Sequence, residues 1–233
     1  QAIWNASIAI DSKQRVFTSD DYLNRILVRT QEGELLNTWG ESGTEEGQLN
    51  GPNGITFNSK DELIVSDHLN GRIQKFTGDG EHLATFGEPG SGDGQLNLPW
   101  EVCTDLEDNI YVADWGNDRI VKFSSDGRFQ ANFGSRGRGN GELNAPSSVC
   151  VDSDGYIYIA DWGNQRIQIF NSSGNFVQSN RGQGTISKWA QDFLDTNVEE
   201  GEIRANANLE PELEFNTDDL HEESAHIEKY FWG

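Results

Sequence analysis

The sequence predicts an all-β fold built from repeated four-stranded antiparallel sheets, and three observations predict it. One thirteen-residue phrase is written four times at a single spacing. Glycine and proline keep the same phase between the copies. Four short strand-like runs fit between each pair of phrases.

The phrase is clearest as YVADWGNDRIVKF at residues 111–123 and YIADWGNQRIQIF at 158–170. IVSDHLNGRIQKF at 64–76 and FTSDDYLNRILVR at 17–29 are the earlier copies. Its aspartate falls at Asp20, Asp67, Asp114 and Asp161, and its arginine at Arg25, Arg72, Arg119 and Arg166. Both series step by 47 residues, as do Gly33, Gly80, Gly127 and Gly174, and Pro52, Pro99 and Pro146. A fixed period of this length means stacked supersecondary units that share a core.

Within the second copy the runs are 54–57 (GITF), 62–66 (ELIVS), 72–76 (RIQKF) and 82–86 (HLATF). They alternate, carry β-branched and aromatic residues, and are separated by the turn clusters NSKD and TGDG. Four-stranded sheets repeated radially make a β-propeller, which leaves only short, protected edges.

These residues resemble a known family. The pattern of IYVAD, N-x-RI-x-x-F and a glycine-rich stretch ending in GQL-x-x-P is similar to that of NHL-repeat propellers, which usually have six blades. The resemblance covers about residues 1–184, read as blades at roughly 5–51, 52–98, 99–145 and 146–184. Gln1 aligns in phase with Gln48 and Gln95, so the chain is expected to open in mid-repeat, as four blades of a larger ring. Residues 231–233 would then approach a further blade.

The aspartate ends the second strand of each copy and the arginine begins the third. A charge-assisted, bidentate ion pair that fixes the intervening loop is expected. A feature present in every blade reads as scaffold. Asn70, Asn117 and Asn164 suit a turn conformation or an Asx bond in that loop.

Residues 185–230 break the repeat. Ser187 is a helix N-cap candidate with Trp189 and Phe193 four residues apart on one face. A second helix is expected to place Leu220, Ser224, Ile227 and Phe231 on one stripe. The segment interrupts the connection after a fourth strand, so it is expected on the face that carries the Asp…Arg loops, as a lid or docking element or as a tolerated excursion.

The formal charge is −22, and residues 181–233 alone hold 13 acidic and 4 basic side chains. Nucleic-acid binding rests on neutralising phosphates with Lys and Arg, so DNA and RNA are not expected partners. No apolar run approaches the ~18 residues of a membrane span. Two cysteines make no disulfide framework; Cys103 and Cys150 share one phase and are expected as small, buried packing residues. The sequence assigns no compartment. Asn5 and Asn171 head glycosylation sequons, which matter only in a glycosylating secretory pathway.

Binding residues belong where the repeat is broken. After the aspartate the copies read Asp21, His68, Trp115 and Trp162; after the proline they read Asn53, Trp100 and Ser147, then Gly54, Glu101 and Ser148. Trp100 is the preferred ligand contact, because its counterparts are small and polar. Trp115 and Trp162 either join it or pack between blades. His68, Glu101 and Asn53 complete the candidate set for a protein or small-molecule ligand at the loop face.

Metal, cofactor and catalytic residues are not assigned. His221 and His226 stand five apart, unlike the zinc pair of H-E-x-x-H. His82 is expected to be solvated on an outer strand. DSDG at 152–155 reads as a hairpin turn, since it shares a phase with DSKQ and DLED. The rival class is a metal-dependent hydrolase or lyase at the channel mouth. Some NHL-like propellers are amidating lyases with several channel histidines, and only His68 lies on a candidate loop here.

Overall fold

The structure is a computed structural model, and it describes residues 7–181. The expected helices within 185–230, with His221 and His226, lie outside the described residues. So do Asn5 and residues 231–233.

Four antiparallel sheets, each with its strands in chain order, carry the fold. The first blade holds β1 (Ile8–Ile10), β2 (Val16–Asp20), β3 (Arg25–Arg29) and β4 (Leu35–Trp39). The second holds β5 (Pro52–Phe57), β6 (Glu62–Asp67), β7 (Arg72–Thr77) and β8 (His82–Phe86). A two-residue parallel pair, β9 (Glu88–Pro89) and β10 (Gln95–Leu96), folds the next connection back on itself. The third blade holds β11 (Pro99–Thr104), β12 (Ile110–Asp114), β13 (Arg119–Phe123) and β14 (Phe129–Phe133). The fourth holds β15 (Pro146–Val151), β16 (Ile157–Asp161), β17 (Arg166–Phe170) and β18 (Phe176–Asn180). The chain is a β-propeller, with four blades among the described residues.

The first strands β1, β5, β11 and β15 pack against one another in succession around the axis. Successive side chains of a strand point to opposite faces, so each central strand feeds two interfaces. Val112 packs between blades two and three with Ile64, Phe86 and Phe123. Its neighbours Tyr111 and Ala113 pack between blades three and four with Phe133, Val149 and Ile159. Phe17, Ile26, Leu63 and Val65 do the same between blades one and two. A fully buried Ile, Val, Leu or Phe contributes about 1.5–3 kcal/mol, so the interfaces between sheets hold the blades in place.

Glycine matters most where blades touch. A Cβ on Gly127 (φ 83°) would stand 2.8 Å from the Phe86 ring of the preceding blade. Gly174 (φ 79°) meets Phe133 in the same way. The in-phase glycines of the sequence are thus both turn formers and the floor on which an outer-strand phenylalanine lies.

Two expectations need correcting. Cys150 is exposed and Cys103 only partly buried. Cys103 faces the cluster between blades three and four, whereas no fifth blade follows β15 among the described residues. Desolvation raises the thiol pKa of both. His82 is partly buried, because its ring packs edge-on to Phe76 at 5.7 Å and its Nε2 meets Thr85 Oγ1 at 2.8 Å. Among the described residues no helix is long and apolar enough to cross a membrane.

Candidate functional site

The loop face is built on a clamp repeated in each blade. In blade two, Asp67 is fully buried. Its Oδ2 accepts from Arg72 Nε at 2.7 Å, Asn70 Nδ2 at 2.9 Å and Gln74 Nε2 at 3.0 Å. Its Oδ1 accepts from the Asn50 amide at 2.6 Å. The pair is not bidentate. Arg72 uses Nε for the carboxylate and turns Nη1 and Nη2 to the carbonyls of Thr44, Glu45 and Gln48. Asn70 Nδ2 also donates to the Gly43 carbonyl. Those carbonyls belong to the connection arriving from blade one, which folds back on itself through a parallel Ser42–Leu49 bridge. One guanidinium thus satisfies a carboxylate and three carbonyls.

Blades three and four repeat the arrangement. Arg119 binds Asp114 at 2.8 Å and the carbonyls of Ser91, Gly92 and Gln95. Arg166 binds Asp161 at 2.7 Å and the carbonyls of Arg138, Gly139 and Glu142. Val121 stands where blades two and four have Gln74 and Gln168, so Asp114 has one donor fewer. Burial outweighs its remaining hydrogen bonds and raises its carboxyl above the usual carboxylate range. In blade one, Asp20 bonds Arg25 Nε at 2.9 Å and the Leu23 amide.

Between the clamps lie the positions where blades differ: those after the proline sit at a β-bulge, whereas His68, Trp115 and Trp162 open 3-10 turns. Pro99 pairs with Asp114 and Val102 with Val112, so Trp100 and Glu101 together face Ala113. The same extra residue interrupts β5 between Pro52 and Ile55, and β15 between Pro146 and Ser148. A bulge frees residues from the ladder and re-aims their side chains.

Three of the six candidate residues come together there. Trp100 meets the His68 ring of blade two edge-on at 5.4 Å and the Trp115 ring at 6.0 Å. His68 Nδ1 lies 3.1 Å from the Pro99 carbonyl, which can only accept, so Nδ1 carries the proton. Burial lowers the His68 pKa, more than its backbone hydrogen bonds and Asp67 raise it. Trp115 is buried and Trp100 is 37% exposed.

Glu101 is half-buried toward the axis. Its carboxylate accepts from Ser7 Oγ at 3.4 and 3.5 Å and from the Val102 amide at 3.2 Å. Ser7 belongs to blade one, so this bond reaches across blade two. Gly54 leaves the passage: a Cβ there would lie 2.6 Å from both Glu101 Cα and Glu101 Oε1. Burial raises the Glu101 pKa and its hydrogen bonds oppose the rise. Asn53 is buried, and its carbonyl accepts from Ser19 Oγ at 2.6 Å. Trp162 shares the phase of Trp115, yet it is 44% exposed. Ser147 stands in its blade where Trp100 stands beside Trp115, and no further blade follows it among the described residues.

Sequence reasoning missed Ser7, whose signal was a shared phase with Gly54, Glu101 and Ser148. It also missed Tyr22, Leu23 and Leu69, exposed apolar residues in the same loops. Among the described residues no group of three His, Cys, Asp or Glu side chains gathers to hold a metal.

The fold defines the class of protein, a β-propeller. The sequence model of the NHL repeat matches residues 49–76 and 143–170. No curated protein matches the chain significantly. Among solved structures, the chain is similar to a catalytically inactive virginiamycin B lyase from Staphylococcus aureus with quinupristin. Identity is 16% and TM-score 0.62, covering 79% of this chain and 58% of that one. A streptogramin B lyase structure matches at 16% identity and TM-score 0.61, over 82% and 59%. A chain of a nidogen–laminin complex matches at 18% identity and TM-score 0.58, over 75% and 62%. The chain therefore spans about three fifths of the length of these structures, and the likeness establishes the fold.

Proposed function

We propose that the protein is a non-enzymatic binding scaffold whose loop face receives a protein partner. One observation carries this reading. Every described blade exposes a large apolar side chain from that face: Tyr22 and Leu23, Leu69, Trp100, and Trp162, at 72, 43, 57, 37 and 44% exposure. Such a set, held on a rigid frame, is the composition of an anchor surface rather than of scattered solvent contacts. A nidogen–laminin complex among the similar structures is consistent with this use of the fold.

A peptide-display selection on the immobilised full chain tests the reading. Peptides enriched on the wild type should lose binding to a Leu69→Ser, Trp100→Ala double variant that keeps the wild-type circular dichroism spectrum and a cooperative melt. Equal retention on both proteins, or no enrichment at all, would overturn it.

A second reading, a hydrolase or lyase at the channel mouth, draws on Glu101. A carboxyl whose pKa is raised by burial suits proton transfer, and lyases stand among the similar structures. Turnover of an ester, lactone or amide panel that is lost in Glu101→Gln would favour it.

A further inference from the structure

We propose that the channel mouth beside Trp100 recognises an alkylammonium group, the side chain of a lysine on the protein partner. The inference rests on the loop-face reading and specifies the chemistry of its centre.

The bulge sets Trp100 and Glu101 side by side opposite one residue, Ala113. Both lean toward blade two: the indole meets His68, and the carboxylate lies over Gly54. Indole and carboxylate are thus carried by neighbouring residues of one bulge, each turned toward blade two. The carboxylate makes no ion pair among the described residues. Its contacts are a hydroxyl at 3.4 and 3.5 Å and one amide at 3.2 Å, each longer than the usual charge-assisted bond. A half-buried carboxylate so lightly satisfied gains from an incoming cation.

Among the described residues the repeat arginines and His68 supply no competing charge of that sign. Arg72 and Arg119, the nearest repeat arginines, spend their guanidinium groups on Asp67, Asp114 and the connection carbonyls. Burial keeps His68 neutral, and its Nδ1 is committed to Pro99. The exposed indole beside it is that of Trp100, whose negative quadrupole attracts an ammonium within about 6 Å. With a net charge of −22 on the chain, the long-range field also draws a cation in. An anion or a neutral apolar group would leave the carboxylate without a partner.

The test titrates the full chain with Nα-acetyl-lysine methylamide and with the uncharged isostere Nα-acetyl-norleucine methylamide, followed by tryptophan fluorescence and NMR. The lysine probe should bind at least about tenfold more tightly than norleucine. Glu101→Gln should cut lysine affinity by about that factor without lowering the melting temperature. Trp100→Phe should retain part of the affinity and Trp100→Ala little. Equal binding of the two probes, or lysine affinity unchanged in Glu101→Gln, overturns the proposal. Displayed peptides that depend on Leu69 and Trp100 but bind Glu101→Gln as well as the wild type would sink this inference while leaving the docking surface standing. Free methylammonium binding as tightly as the lysine probe would also overturn it, since the site would then read a small amine and not a side chain.

Discussion

The clamp and the bulge are neighbours on one face, yet they answer to different constraints. Asp67, Asn70 and Arg72 are saturated with partners that the fold itself supplies. Trp100 and Glu101, one blade along, are held more lightly, by edge-on rings and long hydrogen bonds. The difference teaches that repetition here marks an internal task, the capture of each arriving connection. Variation marks side chains left to meet something else.

Breaking the clamp should have the largest effect. Asp67→Ala leaves Arg72 without its carboxylate in a mostly buried setting, and about 3–5 kcal/mol of stability should be lost in urea unfolding. A loss below about 1 kcal/mol would mean that the carbonyls alone hold the arginine. Gly54→Ala comes next, at about 1–3 kcal/mol, because a Cβ would press on the Glu101 backbone. The blade-one clamp sharpens the comparison. Arg25 is 29% exposed against 12% for Arg72, so Asp20→Ala should cost about 1–2 kcal/mol, less than its counterpart.

On the bulge side, Trp100→Ala should cost only about 1 kcal/mol in stability, since the indole is already partly in water. Its binding defect would far exceed that.

The smallest effects are those of pH, and the two polar candidates should act in opposite senses. The folded-state pKa of His68 is depressed by burial. Its contribution is present above the unfolded value near 6.5 and is lost as pH falls through the folded one. His68→Gln should therefore blunt the drop in melting temperature between pH 7 and pH 5. The folded-state pKa of Glu101 is raised by burial. Its contribution is present below the unfolded value near 4.3 and is lost as pH rises through the folded one. Glu101→Gln should melt higher than the wild type at pH 7, with the gap closing on acidification. A constant gap across that range would remove Glu101 as the titrating group.

Much of the fold was legible because its period is local chemistry. The runs at 62–66 and 72–76 emerge as β6 and β7 with one extra residue each, and the aspartate and arginine stand at the expected strand ends. The single-bond geometry of Arg72 was not legible, since its other acceptors lie 24–28 residues earlier in the chain. The site was legible in part. A phase comparison singled out Trp100, Glu101, His68 and Trp115, but it gave Trp115 and Trp162 equal standing. The packing around them, with Trp100 beside Trp115 and no described blade beyond Trp162, separates the buried indole from the exposed one.

The sequence by itself determined the blades, because strand alternation, turn residues and a 47-residue step act over short distances and need no knowledge of the whole. The tertiary structure alone decided which side chains share a pocket. Ser7, Gly54 and Glu101 come from three different blades, and nothing short of packing those blades around an axis brings a hydroxyl, a gap and a carboxylate to one place.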